Sequence, residues 1–184
     1  MPPEERARIF DGSDGFREVF EENRQAIYRL LYRLARNPHD AEDLLQETFT
    51  RLWRKQSQYR GGSLQAYLRK IAYRSYLNAR PRLVRGRALT PLSADLPDPR
   101  NGPVGCIEQR DLEAFLLERV QVVVDGLPDA WREPFVLYRY EGLTCREVSE
   151  MTGLTLKAVE LRVSKALKRI AARLHDLRTE YQPR

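Results

Sequence analysis

Acidic residues are absent where this chain is most basic. Between Glu47 and Asp95 there is no Asp or Glu, yet the stretch carries eleven Lys or Arg, among them Arg51, Arg54, Lys55, Lys70 and Arg74. A segment of that kind cannot neutralise itself locally and calls for a polyanionic partner. Cysteine is nearly as scarce. Cys106 and Cys145 stand far apart, with no CxxC and no Cys/His cluster, which excludes a disulfide framework and a zinc site and fits a reducing cytoplasm. No run approaches the ~20 apolar residues of a membrane span, and MPPEERARIF lacks the apolar core of a secretory leader. The expectation is a cytoplasmic protein with no membrane partner. Strand periodicity is missing too, and residues 1–107 hold no nucleophile motif and no metal-carboxylate spacing. No catalytic centre, metal or cofactor is expected, so the chain is not read as an enzyme.

What is present is 184 residues, 42% of them hydrophobic, with a net charge of +6. That suffices for two small helical cores. Phe49, Trp53, Tyr59, Tyr67, Tyr73 and Tyr76 are interleaved with the cations of the acid-free stretch. Flat rings beside positive charge suit unstacked bases on a phosphate backbone. Just upstream the charge inverts to Asp40, Glu42, Asp43 and Glu47, a pattern a basic second partner could read.

The periodicity predicts all-α structure. Phe16, Val19, Phe20, Ile27, Leu30, Leu31 and Leu34 mark a first amphipathic helix ended by Asn37-Pro38-His39-Asp40. Asp40 is placed to cap a second, which buries Ala41, Leu44, Leu45, Thr48, Phe49 and Leu52 and leaves Asp43, Gln46, Glu47 and Thr50 outward. Phe49 and Trp53 are expected in the core ahead of any nucleic-acid contact. Ser63, after Arg60-Gly61-Gly62, caps a third helix running to about Ala79, and Pro81 closes a first domain, 1–80. Residues 81–107 read as a flexible Pro-rich linker. A second domain, 108–184, opens with a helix carrying Leu112, Phe115, Leu116, Val120 and Val123 and stopping at Asp125-Gly126. The next helix, from about Asp129 to Tyr140, contains Pro134, so a late start or a kink is expected.

GLTCREVSEMTGLTLKAVELRVSKALKRI holds two helix starts around a short Gly-containing turn, the pattern of a helix-turn-helix. Thr144 and Glu147 form a capping box, Gly153 ends the first helix, and Thr155 caps the second. Leu156, Val159, Val163, Ala166, Leu167 and Ile170 are expected to turn inward. A recognition helix reads base edges with its N-terminal residues, which selects Lys157, Ala158, Glu160, Leu161 and Arg162. Lys165 and Arg169, farther along, are assigned to phosphate.

These segments resemble the bacterial RNA polymerase sigma factors, specifically their compact extracytoplasmic-function group. DAEDLLQETFTRLW is similar to the region 2 core-binding helix, LQAYLRKIAYRSYLNARPR to the −10 melting and recognition helix, and LPDAWREPFVLYRYEGLTCREVSEMTGLTLKAVELRVSKALKRI to region 4, the −35 reader. The resemblance implies that Asp43, Gln46, Glu47 and Thr50 dock on the clamp helices of the polymerase's largest subunit. It also implies that the loop from Tyr59 to Ser63 holds a flipped base and that region 4 meets the flap of the second-largest subunit. Tyr59, Arg60, Ser63, Tyr67, Lys70, Tyr73 and Arg74 become the −10 contacts. Lys157, Ala158, Glu160, Leu161, Arg162, Lys165 and Arg169 become the −35 contacts. Promoter DNA and core polymerase are then the partners, and an anti-sigma factor is a further partner of this group. Two departures stand out: Tyr67 where the family often has Trp, and Tyr73-Arg74 where an Arg-Asn pair is frequent. AVELRVSKALKRI is similar to the subgroup tied to iron uptake.

A stand-alone helix-turn-helix regulator is the alternative, and it would normally dimerise. No sustained heptad supports that. A recombinase would need a catalytic domain before the reader, where none is visible.

Overall fold

The computed structural model describes residues 12–59, 61–87 and 120–180. The chain divides into two units, with the division between Leu89 and Thr90. In the first, α1 spans Gly12–Ala35, α2 Pro38–Arg54 and α3 Leu64–Arg87, with a 3-10 turn Gln56–Gln58 between the last two. Each of the three helices packs on the other two. The apolar positions spaced three and four apart meet at their shared centre, where Leu30, Leu31, Leu34, Ala41, Leu44, Leu52, Leu68 and Tyr76 are buried.

Helix α1 ends where Arg36 takes a left-handed conformation, φ 57°. Its amide still donates to the Tyr32 carbonyl at 2.7 Å. The cap of α2 is Asn37 rather than the expected Asp40. The Asn37 side chain accepts from the amides of His39 (2.9 Å) and Asp40 (3.1 Å). Pro38 is the reason: at the first helical position it needs no amide partner and its fixed φ starts the helix two residues before Asp40. All six expected stripe residues of α2 are buried.

Helix α3 begins as expected, with Ser63 Oγ accepting from Ala66 N at 3.2 Å. It does not end near Ala79. It runs through Pro81 to Arg87, so residues 81–87, read from sequence as linker, are helical. Proline removes one backbone bond, at a cost of about 3 kcal/mol in a helix interior. Leu83, one residue pair beyond, is buried, and burying such a side chain returns roughly 1.5–3 kcal/mol. Tertiary packing overrides the local signal.

In the second unit a helical segment covers residues 120–125, followed by α4 (Asp129–Arg139), α5 (Cys145–Thr152) and α6 (Leu156–Glu180). The expected leading helix from Glu108, with Leu112, Phe115 and Leu116, lies outside the described residues up to 119. Val124, Leu127, Phe135, Ala166 and Ile170 form the core, with Trp131 and Tyr140 packed against it. Helix α4 packs on both α5 and α6, and its residues Arg132 to Leu137 are buried without interruption. The middle of the helix is covered on every side, while Ala130, Tyr138 and Arg139 at its ends are exposed. Pro134 neither delays its start nor ends it: Trp131 and Arg132 both donate to the Pro128 carbonyl at 2.9 Å, so the first turn forms at Asp129.

Candidate polymerase and nucleic-acid interfaces

Three surfaces emerge, two on the first unit. On α2 the buried stripe turns Asp43, Gln46 and Thr50 to solvent, while Glu47 is half-buried. His39 Nδ1 lies 3.7 Å from the Asp43 carboxylate. Glu47 is bound by Arg51 one turn later. With the Asn78 amide oxygen turned toward it, Arg51 also donates to that oxygen at 3.1 and 3.2 Å. The acidic face of α2 is thereby tied through Arg51 to α3. Nearby, the Tyr28 hydroxyl on α1 is held above its ordinary pKa by burial and, secondarily, by the charge of Glu42.

The second surface is the loop after α2 and the exposed side of α3. Here the structure separates aromatic residues that composition could not. Tyr59 is 2% exposed and its hydroxyl donates to the Gly62 carbonyl at 2.6 Å. Tyr73 is also 2% exposed, with Tyr76 against it at 6.1 Å between centroids. Neither Tyr59, at the end of the 3-10 turn, nor Tyr73, on α3, presents an exposed face for stacking, which corrects their assignment as base contacts: both rings are interior. Tyr67 remains half-exposed, its ring 5.2 Å from Tyr59. Lys70 and Arg74 are exposed and follow it at the three- and four-residue spacing of one helix face. Ser63 is exposed at the cap, and Arg60 lies outside the described residues. Gly61 (φ 93°) and Gly62 (φ 96°) take conformations that L side chains avoid, which is why the turn carries two glycines.

Phe49 is interior as expected, in edge contact with Phe20 at 4.8 Å. Trp53 is not: it is 42% exposed, held by Phe16 at 4.9 Å.

Tyr59 and Tyr67 thus give a contrasting pair of expected outcomes. Tyr67→Ala should weaken binding of a single-stranded oligonucleotide by about 1–3 kcal/mol with folding stability unchanged, as loss of one exposed stacking face does. Tyr59→Phe should instead destabilise the unit by about 1 kcal/mol, as loss of one hydrogen bond does. Oligonucleotide titration and urea unfolding distinguish the two.

The third surface is the helix-turn-helix. Thr144 Oγ1 accepts from Glu147 N at 3.2 Å while the Glu147 carboxylate accepts from Thr144 N at 2.8 Å, closing the capping box. Gly153, φ 73°, ends α5 in the left-handed region. Across the turn Ser149 Oγ donates to the Leu154 carbonyl at 2.6 Å, Thr152 Oγ1 to the Val148 carbonyl at 2.7 Å, and Thr155 Oγ1 accepts from Ala158 N at 3.3 Å. On α6, Val159, Val163, Ala166 and Ile170 are buried as expected, whereas Leu156 and Leu167 are exposed. At about 100° per residue those two lie at the edge of the buried stripe. Lys157, Glu160, Leu161, Lys165 and Arg169 are exposed; Ala158 and Arg162 are half-buried. The Lys165 ammonium lies 5.7 Å from the Trp131 ring centroid, an intramolecular cation–π contact absent from the sequence reading.

Among the described residues no group of His, Cys, Asp and Glu could hold a metal ion, and no helix is long and apolar enough to cross a membrane.

Comparison with known proteins agrees with these parts. Residues 19–85 match the family Sigma-70 region 2, and residues 117–170 match Sigma-70, region 4. The chain is 32% identical over 158 residues to the ECF RNA polymerase sigma factor SigE of Mycolicibacterium smegmatis, an alignment covering 83% of this chain and 59% of that relative. It is 27% identical over 138 residues to the ferric citrate uptake sigma factor FecI of Escherichia coli, covering 75% and 78%. In fold it is similar to the sigma factor RpoE of Bartonella quintana, solved in complex with the anti-sigma factor NepR, with a TM-score of 0.65, 22% identity and coverage of 87% and 96%. CnrH, solved with the cytosolic domain of CnrY, gives a TM-score of 0.60 at 21% identity, with 90% of each chain covered.

Proposed function

Since the chain belongs to the sigma-70 family, as an extracytoplasmic-function sigma factor for transcription initiation by RNA polymerase, we propose a division of labour between its two units. Residues 1–87 dock core polymerase and open the −10 element, residues 108–184 read the −35 element as duplex, and 88–107 connect them. Sigma factors are non-enzymatic subunits, so the task of each surface is binding.

The observation that carries the proposal is the opposition of charge on neighbouring helices. Helix α2 offers Asp43 and Gln46 with Glu47 and Thr50, which fit a basic protein partner such as the clamp helices of the largest subunit. Helix α3 offers Tyr67, Lys70 and Arg74 in a stretch with no acid, which fits an opened DNA strand. Ser63 lies at the entrance to that face. The second unit is proposed to meet the flap of the second-largest subunit as well as DNA. An anti-sigma factor belongs to the same proposal, since the Bartonella quintana neighbour was solved with one.

Run-off transcription with added core polymerase on genomic fragments tests the reading. Discrete promoter-dependent transcripts are expected. Promoter binding by the chain alone, with no transcript on adding core, would favour a stand-alone regulator.

Within the second unit, Lys157 can donate to guanine O6 or N7 and Glu160 can accept from cytosine N4. Replacing either with Ala should cost about 1–3 kcal/mol and relax preference at one base pair. Arg169 should instead weaken all sequences alike and lower the salt slope by roughly one unit. Lys165, engaged with Trp131, should change the slope less. A promoter library transcribed by the reconstituted holoenzyme, with salt titration of promoter binding, reads both effects.

A further inference from the structure

Successive residues of an α-helix advance by about 100°. Val159, Val163, Ala166 and Ile170 fix the side of α6 that faces the core. Leu161 falls on the opposite side, together with Lys157, Lys165 and Lys168, all exposed. Its own exposure is 55%, the highest among the exposed large apolar residues of α6. Leu156 and Leu167 are also exposed, but they flank the core stripe, where an apolar side chain still covers part of its neighbours. Leu161 stands at the outermost line of a cationic face, in the second turn of the helix.

An apolar group at that place contributes little to the fold. Against DNA its chemistry is specific. In the major groove only thymine offers a methyl group, whereas cytosine and adenine offer an amino donor and guanine two acceptors, none of which a leucine can satisfy. The surrounding lysines fit phosphates or guanine, so the leucine would be pressed against base edges by charges on either side.

We propose that Leu161 is a specificity-determining residue that packs on the 5-methyl group of one thymine in the upstream duplex element. The inference rests on the proposed seating of α6 in the major groove, and it adds the base and the atom read. Lys157 and Glu160 then read polar edges beside a position selected by apolar contact, so the element combines hydrogen-bonded and methyl-selected positions.

The test uses holoenzyme reconstituted from the full chain and core polymerase on a promoter found by run-off transcription. Each thymine of the upstream element, on either strand, is replaced in turn by deoxyuridine, which removes only the methyl group. One replacement should weaken promoter binding about fourfold, the effect of withdrawing one buried methyl-sized group. Leu161→Ala should lower binding to the thymine promoter and abolish the difference between thymine and deoxyuridine at that position alone, while Leu161→Met should retain it. Helical circular dichroism of both variants should match the parent, because the position is exposed.

Several results would overturn the inference: no sensitivity to deoxyuridine, the same sensitivity in Leu161→Ala, an element without thymine, or a Leu161→Ala defect confined to core binding. Randomising the upstream base pairs separates this from failure of the functional reading. If randomisation leaves transcription unchanged, the groove seating itself falls and the inference with it. Where randomisation matters and the methyl group does not, only the role of Leu161 falls.

Discussion

Substituting Asp43→Lys together with Gln46→Lys is expected to abolish co-purification with core polymerase. Both side chains are exposed on α2, opposite six buried residues that hold the helix in place. Their replacement should change folding stability by no more than about 0.5 kcal/mol, as for most surface sites. Reversing a charge at an electrostatically complementary interface costs about 2–5 kcal/mol, or roughly 30- to 5,000-fold in affinity. Glu47 is a poorer first choice for the experiment. Its carboxylate holds Arg51, which in turn reaches Asn78 on α3, so a Glu47 variant disturbs the fold and the partner face together. Gel filtration of the mixture, with circular dichroism of the variant alone, gives the answer. Retained core binding by the folded double variant would remove α2 from the interface.

The other large effect lies in the interior of the second unit. Arg132 is fully buried, with Nη2 donating to the Asp129 carboxylate at 3.0 Å, and Glu133 beside it is buried as well. Arg132→Ala removes the buried cation bound to Asp129 and leaves a large void, which should cost about 3–5 kcal/mol. Asp129→Ala should cost less, because that carboxylate is partly solvated. Trp53 and Trp131 fall in different units, so Trp131 fluorescence in a Trp53→Phe background follows the second unit by itself. Early unfolding of that unit, with core binding retained, is the expected result. A midpoint within error of the parent would mean that the interior of α4 tolerates the loss by repacking.

Arg132 also marks the limit of what the sequence disclosed. Its three-residue spacing from Asp129 was visible, but nothing in WREPFVLYR tells that a helix is enclosed on all sides. Enclosure is decided by α5 and α6, which arrive later in the chain. The same limit separates Tyr67 from Tyr73. Composition placed both among cations, whereas only packing against α1 and α2 puts one at the surface and one inside. A stricter use of period could have found Tyr76, which lies four and eight residues after the buried Ala72 and Leu68; Tyr73 widens that stripe in a way period alone does not require. Pro81 misled for the complementary reason, because a strong local signal was outweighed by the burial of Leu83 two residues later. By contrast, the α2 stripe and the Thr144 capping box were legible because each involves residues within a turn or two of one another. At the candidate sites the result is parallel: exposed Lys157, Glu160, Asp43 and Gln46 were found from local spacing, and the Lys165–Trp131 contact, between different helices, was not.

The turn between α5 and α6 is fastened by hydroxyl groups and a left-handed glycine. Ser149, Thr152 and Thr155 are uncharged at every accessible pH, and their hydrogen bonds are not weakened by counterions as exposed ion pairs are. Raising the salt should therefore loosen the grip on phosphate without altering the angle at which the reading helix is presented. For this protein a salt titration of binding measures ion release from DNA, with the reader itself serving as a fixed gauge.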